Sequence, residues 1–146
     1  MNCPICRRPN RPNAHFCAHC RAPLLLQNKY RVTGLIKTND AVSIWLAEQT
    51  NLWNSRCIIF RFINPLESQA HAAIGVRVHL THRALPKAID LFEEGGYTNL
   101  ITELVEGEAL DARLRRVHTP VPEADILLWM EELCDALLYL ETQPTL

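Results

Sequence analysis

Residues 85–107 read LPKAIDLFEEGGYTNLITELVEG, and this stretch predicts two β-strands joined by a tight turn. Apolar residues recur on both sides of Gly95 and Gly96, and paired glycines accept the positive φ that a tight hairpin turn requires. Beyond Gly107 the pattern is typical of helices as far as Leu146. The hairpin is therefore predicted to be the last part of a sheet, and the chain after it is predicted to be helical. Such a crossing is a frequent position for a ligand cleft.

Composition and charge divide the chain into two parts. The 146 residues are 48% apolar and 21% charged, which is typical of a globular protein. Residues 1–39 contain seven basic and no acidic side chains, whereas residues 40–146 contain eight basic and all 16 acidic side chains, a net charge of −8. This asymmetry predicts two modules.

No targeting segment is recognised in the sequence. The N-terminus lacks the apolar region of a signal peptide, and the longest apolar runs, 24–26 and 126–130, are far shorter than a membrane span. The expected compartment is therefore the cytoplasm, where thiols stay reduced.

Four cysteines near the N-terminus predict a metal site. They form two C-x-x-C pairs separated by ten residues, Cys3 with Cys6 and Cys17 with Cys20. Such pairs let four thiolates converge tetrahedrally on one Zn²⁺ ion. The segment has no long apolar run, so metal binding would supply its folding free energy. Two disulfides are the alternative, which a chain without a secretion signal disfavours.

Residues 1–24 closely resemble the small zinc-ribbon modules at the front of many bacterial proteins. The resemblance lies in the two cysteine pairs, Asn10, Phe16 and the stretch 22–24. It implies a small ribbon fold and a zinc ion. We expect His15 and His19 to be solvated, because four well-spaced cysteines complete the ligand set without them. Nucleic acid is a less favoured partner, since a zinc tetrathiolate formally carries two negative charges that nearby arginines can offset.

From residue 29 the periodicity changes to that of strands. Apolar residues alternate at 42–47, the run 57–63 is apolar on both faces, and turn residues separate these segments. Together with a segment that begins at Tyr30 and the hairpin, they predict five strands. A helix is predicted over 66–80. A stronger one follows Pro122, where apolar residues recur at helical spacing.

Two further cysteines lie outside the N-terminal pairs. Cys57 falls in the apolar run 57–63, and Cys134 falls in the last helix. Neither has a suitable base nearby in the sequence. We therefore expect both to be buried core thiols.

The order of elements over residues 26–146 resembles the start of a bacterial Ser/Thr protein kinase domain. Residues 44–47, IWLA, lie where such kinases have VYLA, and residues 58–61, IIFR, lie where they have VAIK. Residues 100–107, LITELVEG, match the strand and hinge, and the last helix matches the one before the catalytic loop. The resemblance implies a kinase N-lobe, with a five-stranded antiparallel sheet and one helix, followed by the first helices of a C-lobe.

Several kinase residues are absent from this pattern. The glycine-loop positions hold Lys37, Asn39 and Val42, although only glycine lets backbone N–H groups approach the ATP phosphates closely. The phosphate-pairing lysine is replaced by Arg61, and the helix C glutamate by Ala73. No H-R-D or D-F-G motif occurs within the 146 residues. We therefore expect no catalytic residue in this chain.

The same resemblance implies a degenerate ATP site. Its residues would be Ile36, Ile44, Ile59, Arg61, Thr102, Glu103 and Val105. Ile59 replaces a family alanine beside the adenine, so its extra bulk would enter the pocket. A second interpretation of Arg61 is a strand arginine that reaches solvent past its two phenylalanine neighbours. We expect ATP and Mg²⁺ to bind weakly or not at all.

These patterns together predict an α+β protein in four segments. They are a zinc ribbon over 1–24, a linker over 25–28, a kinase-like N-lobe over 29–107 and the start of a truncated helical C-lobe over 108–146. The predicted function is a non-catalytic regulatory or binding (pseudokinase) module that contacts other protein segments or domains, with no membrane segment. Two alternatives stay open: an N-terminal fragment of an active ATP-dependent Ser/Thr kinase, and a zinc-dependent nucleic-acid-binding module.

Overall fold

The computed structural model describes residues 1–51, 55–63, 74–75, 79–117 and 120–143. Within these ranges it has six antiparallel strands in one curled, half-barrel sheet and two helices with defined bounds, so the predicted α+β class is confirmed. The strands are β1 Leu25–Leu26, β2 Tyr30–Thr38, β3 Val42–Gln49, β4 Ser55–Ile63, β5 Ala88–Glu94 and β6 Tyr97–Glu103, and the helices are α1 Leu110–Arg116 and α2 Glu123–Glu141. The helix predicted over 66–80 lies almost wholly outside the described residues.

The sheet contains one strand more than the sequence predicts. Its order is β1-β2-β3-β4-β6-β5, and every neighbouring pair is antiparallel. The additional strand, β1, lies in the predicted linker 25–28. The chain reverses at Gln27 and Asn28, whose φ values are 52° and 53°, and Lys29 N donates to Leu26 O at 2.9 Å. Because this left-handed turn contains no glycine, it lacks the usual sequence signal of a hairpin.

The β5–β6 hairpin is confirmed. Glu94 pairs with Tyr97, and between them Gly95 and Gly96 have φ values of 63° and 79°. A two-residue hairpin turn of this hand needs positive φ at both positions, which glycine adopts without strain. A Cβ atom on Gly95 would also lie only 3.1 Å from Phe16 Cζ, so the close approach of the N-terminal segment favours glycine there as well.

The sheet presents an inner face that is deeply buried. Residues directly opposite each other in an antiparallel pair share a face. Ile59 lies opposite Trp45 and Ile101, and Cys57 lies opposite Ala47. Each of these five side chains is at most 8% exposed, so they form the concave side of the half-barrel.

The buried core of the inner face continues into the N-terminal segment. Cys3, Cys17, Ala22 and Leu24 belong to the same cluster of buried residues as the sheet, and Leu24 is fully buried. Full burial of one leucine is worth about 1.5–3 kcal/mol. The segment predicted as a separate module therefore shares its core with the sheet.

Tyr30 closes the rim of the half-barrel. Three strands lie between β2 and β5 in the sheet, yet the Tyr30 hydroxyl donates to Asp90 Oδ2 at 2.7 Å and the Tyr30 ring stacks on Phe92 at 5.8 Å. Lys29 Nζ donates to the same carboxylate oxygen at 3.0 Å. Burial alone would raise the pKa of Asp90, but these two donors outweigh it and lower that pKa. Burial raises the pKa of Tyr30 to about 12.

Helix α2 lies at the surface with most of its apolar side chains exposed. Tyr139 connects it to the segment before β5, since Thr81 N donates to the Tyr139 hydroxyl at 2.8 Å and His82 stacks on the ring at 5.0 Å. Ala136 is its buried residue. The exposed apolar residues of α2 are Ile126, Leu127, Leu128, Met130, Leu133, Leu137, Leu138 and Leu140.

The two remaining cysteines differ from one another. Cys57 is fully buried, as predicted, whereas Cys134 is exposed, so its prediction as a core thiol is wrong. Helical spacing places Cys134 beside apolar residues, but the described part of the chain covers little of α2. Among the described residues, no helix combines the length and apolar character needed to cross a bilayer.

Replacing Tyr30 by phenylalanine should lower the free energy of unfolding by about 1.5–3 kcal/mol, the usual contribution of a hydrogen bond to a charged group. Because folding lowers the pKa of Asp90, this contribution is present above the carboxyl pKa of the unfolded chain. It disappears as pH falls through the folded pKa. Urea unfolding at neutral and acidic pH measures the difference. Tyr97→Phe, which keeps the ring that stacks on Arg61, is the matched control, and equal losses in both variants would refute the assignment.

The amides of α2 should exchange faster than those of β4 in dilute protein, or the chain should self-associate as its concentration rises. An exposed apolar stripe forfeits burial energy and favours association. Hydrogen exchange and sedimentation at several protein concentrations measure both effects. If residues 123–141 of a monomer proved as protected as residues 58–63, the prediction would be wrong.

Candidate metal centre

Two similar backbone turns hold the four N-terminal cysteines. In the first turn Arg7 N donates to Cys3 O at 3.0 Å, and in the second Arg21 N donates to Cys17 O at 3.0 Å. Arg7 and Arg21 have φ values of 60° and 58°, in the left-handed region that side-chain-bearing residues seldom adopt. Each turn therefore places a charged residue, in a strained conformation, directly after its second cysteine.

The two turns correspond to a short internal repeat. Residues 2–9 read NCPICRRP and residues 16–23 read FCAHCRAP, with an offset of 14 positions. An isolated bridge closes each turn in the same way, Asn2 with Pro9 and Phe16 with Pro23. Cysteine spacing alone does not reveal this repeat, but the arginine and proline that both copies share would have done so.

The four sulfur atoms converge on one point. Cys3 Sγ and Cys20 Sγ are 3.5 Å apart, Cys6 Sγ and Cys17 Sγ are 3.6 Å apart, and all four lie within 4.8 Å of one another. Ligands of a tetrahedral zinc site with Zn–S bonds of about 2.3 Å are separated by about 3.8 Å. The sulfur positions therefore fit a single Zn²⁺ ion, and the cluster could hold such a metal.

Backbone and amide donors surround the sulfur of Cys17. The N–H groups of Cys20 and His19 and the side chain of Asn10 lower the pKa of the Cys17 thiol to about 5, although burial opposes them. At Cys20 the N–H of Ala22 acts in the same sense, but burial and the three neighbouring sulfurs raise the pKa to about 11. Four thiolates this close repel one another, and a divalent cation relieves that repulsion.

Asn10 connects the two turns, a role that the sequence pattern does not assign to it. Its Nδ2 donates to Cys17 Sγ at 3.4 Å, and its Oδ1 accepts from Ala18 N at 3.0 Å. Its backbone N donates to Met1 O at 2.8 Å. Hydrogen bonds around the ligands of a metal site fix ligand orientation, and Asn10 is placed to do this for the second turn.

Neither histidine of the segment contributes to the cluster, and the His15 side chain is 40% exposed but also has two partners within the protein. Its Nδ1 lies 3.1 Å from Glu94 Oε1 and its Nε2 lies 3.1 Å from Asn28 Oδ1. Gln27 N also donates to Glu94, at 2.9 Å, so this carboxylate joins the N-terminal segment to the end of β5. His19 is exposed, with its Nδ1 3.1 Å from Arg8 Nη1.

The residues of the predicted ATP site lie on both faces of the sheet. Ile59 and Arg61 are on the inner face, whereas Ile44 lies opposite Phe60 and Thr102 lies opposite Ile58, on the outer face. The other members lie away from both pairs. Ile36 is 56% exposed and Val105 is 62% exposed, while Glu103, opposite Cys57 at the end of the inner face, is exposed and accepts from Lys87 N at 2.8 Å. The structure thus brings Ile59 and Arg61 together and separates them from the others.

Arg61 is buried, so its interpretation as a strand arginine that reaches solvent is wrong. Only 4% of the residue is exposed. Its guanidinium carbon lies 3.9 Å from the centre of the Tyr97 ring and 5.5 Å from that of Phe16. Burial lowers the pKa of the guanidinium. The period of two in β4 places Arg61 on the same face as Ile59, and the N-terminal segment covers that face.

No family model matches the chain, and no curated protein matches it either. The protein is therefore classified by its fold and its site alone. It is an antiparallel half-barrel sheet that carries a cysteine cluster able to hold a metal such as zinc. With four sulfur ligands such a centre has no open coordination position. This is typical of structural sites, whereas catalytic zinc keeps one position for water or substrate.

Purified protein should contain one zinc ion per chain. Structural zinc in small cysteine-ligated peptides binds with an apparent free energy of about 10–16 kcal/mol at neutral pH, so loss of one ligand should release it. Cys17→Ser should therefore abolish zinc in metal analysis after gel filtration. Cys134→Ser, at an exposed cysteine outside the cluster, should retain it. The prediction would be contradicted if the N-terminal segment stayed folded without metal.

Proposed function

We propose that this protein is a zinc-stabilised, non-catalytic binding or regulatory module, in which a zinc ribbon covers the inner face of a degenerate Ser/Thr kinase-like sheet. The observation that carries the proposal is the shared core. Leu24 and Ala22 of the ribbon belong to the same buried cluster as Ile59 of β4, and Ile59 is fully buried. The ribbon therefore occupies the surface that a nucleotide base would need.

The surroundings of Arg61 support a non-catalytic function. In the resemblance its position is that of the lysine that pairs with ATP phosphates and with an acidic residue of helix C. Here its guanidinium lies against the rings of Phe16 and Tyr97. Among the described residues no carboxylate is within ion-pair distance of it, and Ala73 stands at the helix C position. An aromatic enclosure does not reproduce the ion pair of an active kinase.

The arrangement of strands supports the kinase-like part of the proposal. The five longer strands form one antiparallel sheet, as the resemblance implies, and the β5–β6 hairpin leads through residues 104–109 into helices. Under this proposal the ribbon comprises residues 1–24, the N-lobe 29–107 and the first C-lobe helices 108–146. The residues at 25–28 act less as a spacer than as an extra edge strand with its turn.

The exposed surface of α2 supports other protein segments or domains as partners. Eight large apolar side chains of this helix are exposed, more than an isolated surface helix normally shows. An apolar surface of this extent marks association with protein. We also propose a reducing compartment such as the cytoplasm, because the four cysteines must stay reduced to bind metal.

Mg-ATP should not stabilise the zinc-loaded protein. A ligand at 100 times its dissociation constant adds about 2.7 kcal/mol to the free energy of unfolding. Thermal unfolding with MgCl₂ alone and with millimolar Mg-ATP tests this. If millimolar Mg-ATP raised the free energy of unfolding by that amount and Arg61→Ala removed the increase, the proposal would be contradicted. The fragment of an active kinase would then be favoured instead.

A further inference from the structure

A cleft of about 840 Å³ lies between the ribbon and the sheet. Its walls come from both, and we call it the ribbon–sheet cleft. The residues that matter for its chemistry are Phe16, Arg21, Ser43, Trp45, Arg61 and Tyr97. None of them belongs to the cysteine cluster, and the residues that would bind ATP by resemblance contribute only Arg61.

In the part of the chain that the structure describes, Arg61 brings to this cleft a positive charge that has no ion-pair partner. The residue is 96% buried, and its Nη1 has no hydrogen-bond partner. Among the described carboxylates, Glu94 favours the charged form of this guanidinium, but Glu94 is engaged by His15 and by Gln27 N. A buried charge that lacks a hydrogen-bonded counter-ion is strongly unfavourable, so this guanidinium points to an anion that binds from outside the chain.

Ser43 supplies a second donor at the same place. It lies directly opposite Arg61 in the β3–β4 pair, on the same face of the sheet. The indole Nε1 of Trp45 donates to Ser43 Oγ at 2.7 Å. Because Ser43 Oγ accepts this bond, its own proton is available to a ligand. Two adjacent donors suit the two oxygens of one carboxylate.

The charge of the metal centre selects among anions. Cys17 and Cys20 line the same cleft, and a zinc tetrathiolate formally carries two negative charges. Arg21 and Arg61 of the same cleft together offset that charge, so an anion with one negative charge, such as a carboxylate, is favoured over a polyphosphate. The other walls are aromatic and aliphatic: Phe16, Trp45 and Pro23. These walls suit a ligand with an apolar body.

We propose that the ribbon–sheet cleft binds the carboxylate of a ligand with an apolar body, with Arg61 and Ser43 donating to its two oxygens. The carboxylate could be that of a free aromatic or aliphatic acid, or the C-terminal end of a polypeptide. The inference rests on the ribbon docking described under Proposed function. Zinc content and thermal unfolding report that docking independently of ligand binding, so failure of one is distinguishable from failure of the other.

The test is a titration of zinc-loaded protein with sodium benzoate, followed by the NMR shifts of the Trp45 indole and of the Gly95 and Tyr97 amides. Arg61→Met keeps the apolar stem and removes the charge, and should weaken binding at least about tenfold, as expected for loss of a charge-assisted hydrogen bond. Arg56→Met, at an exposed arginine of the same strand, is the matched control and should leave binding unchanged.

Two further arms complete the test. If Arg61→Met does not fold, Ser43→Ala decides, and it should weaken benzoate binding about fivefold. The peptide Gly-Gly-Phe with a free C-terminus is compared with its C-terminal amide and with benzoate. If the free peptide binds more tightly than benzoate and the amide does not bind, the ligand is the C-terminal end of a polypeptide. If benzoate binds more tightly than the peptide, the ligand is a free acid. The proposal is overturned by shifts that do not saturate, by equal binding to Arg61→Met and Arg56→Met, or by tighter binding of inorganic phosphate or Mg-ATP.

Discussion

The rest of the structure depends on the apolar contact between the cysteine-bearing segment and the inner face of the sheet. A segment of about two dozen residues cannot bury a core of its own, and a curled sheet leaves one face to be covered. Ala22 and Leu24 meet both needs, since they enter the cluster that contains Ile59 and Ile101. A metal held by the four cysteines would fix the shape of the segment, while the sheet supplies the apolar surface on which the segment rests.

Charged groups concentrate where the half-barrel closes. Asp90 collects the donors of Lys29 and Tyr30, and Glu94 collects His15 and the backbone of residue 27, four residues further along the same strand. β5 thus presents two carboxylates to the N-terminal half of the chain. The contacts of Lys29 with Asp90 and of His15 with Glu94 are partly exposed, so each stabilises only modestly. Together with the hydrogen bond from the buried Tyr30 they fix the position of β5 relative to β2 and the ribbon.

Arg61 is the place where the fold departs from what packing alone would favour. A leucine there would extend the buried cluster, whereas the arginine brings a charge under Phe16 and against Tyr97 without a counter-ion in the described part of the chain. Departures of this kind are expected at functional positions, because a binding site keeps polar groups that the core does not need.

Features that depend on local chemistry were predictable from the amino-acid sequence. The cysteine spacing predicts the sulfur cluster, the paired glycines predict the β5–β6 turn, and period-two and helical patterns predict the five longer strands and α2, because each depends on residues close together in the chain. Which segment covers which surface became known from the folded structure, because it depends on residues that are distant in the chain. The contact of His15 with Glu94 joins positions 79 residues apart, and the burial of Arg61 depends on the distant ribbon. The separation of Ile44 from Ile59 depends on the register between β3 and β4. Alternation along one strand shows which of its residues share a face, but the pairing between strands decides which residues of the two strands lie on the same face of the sheet.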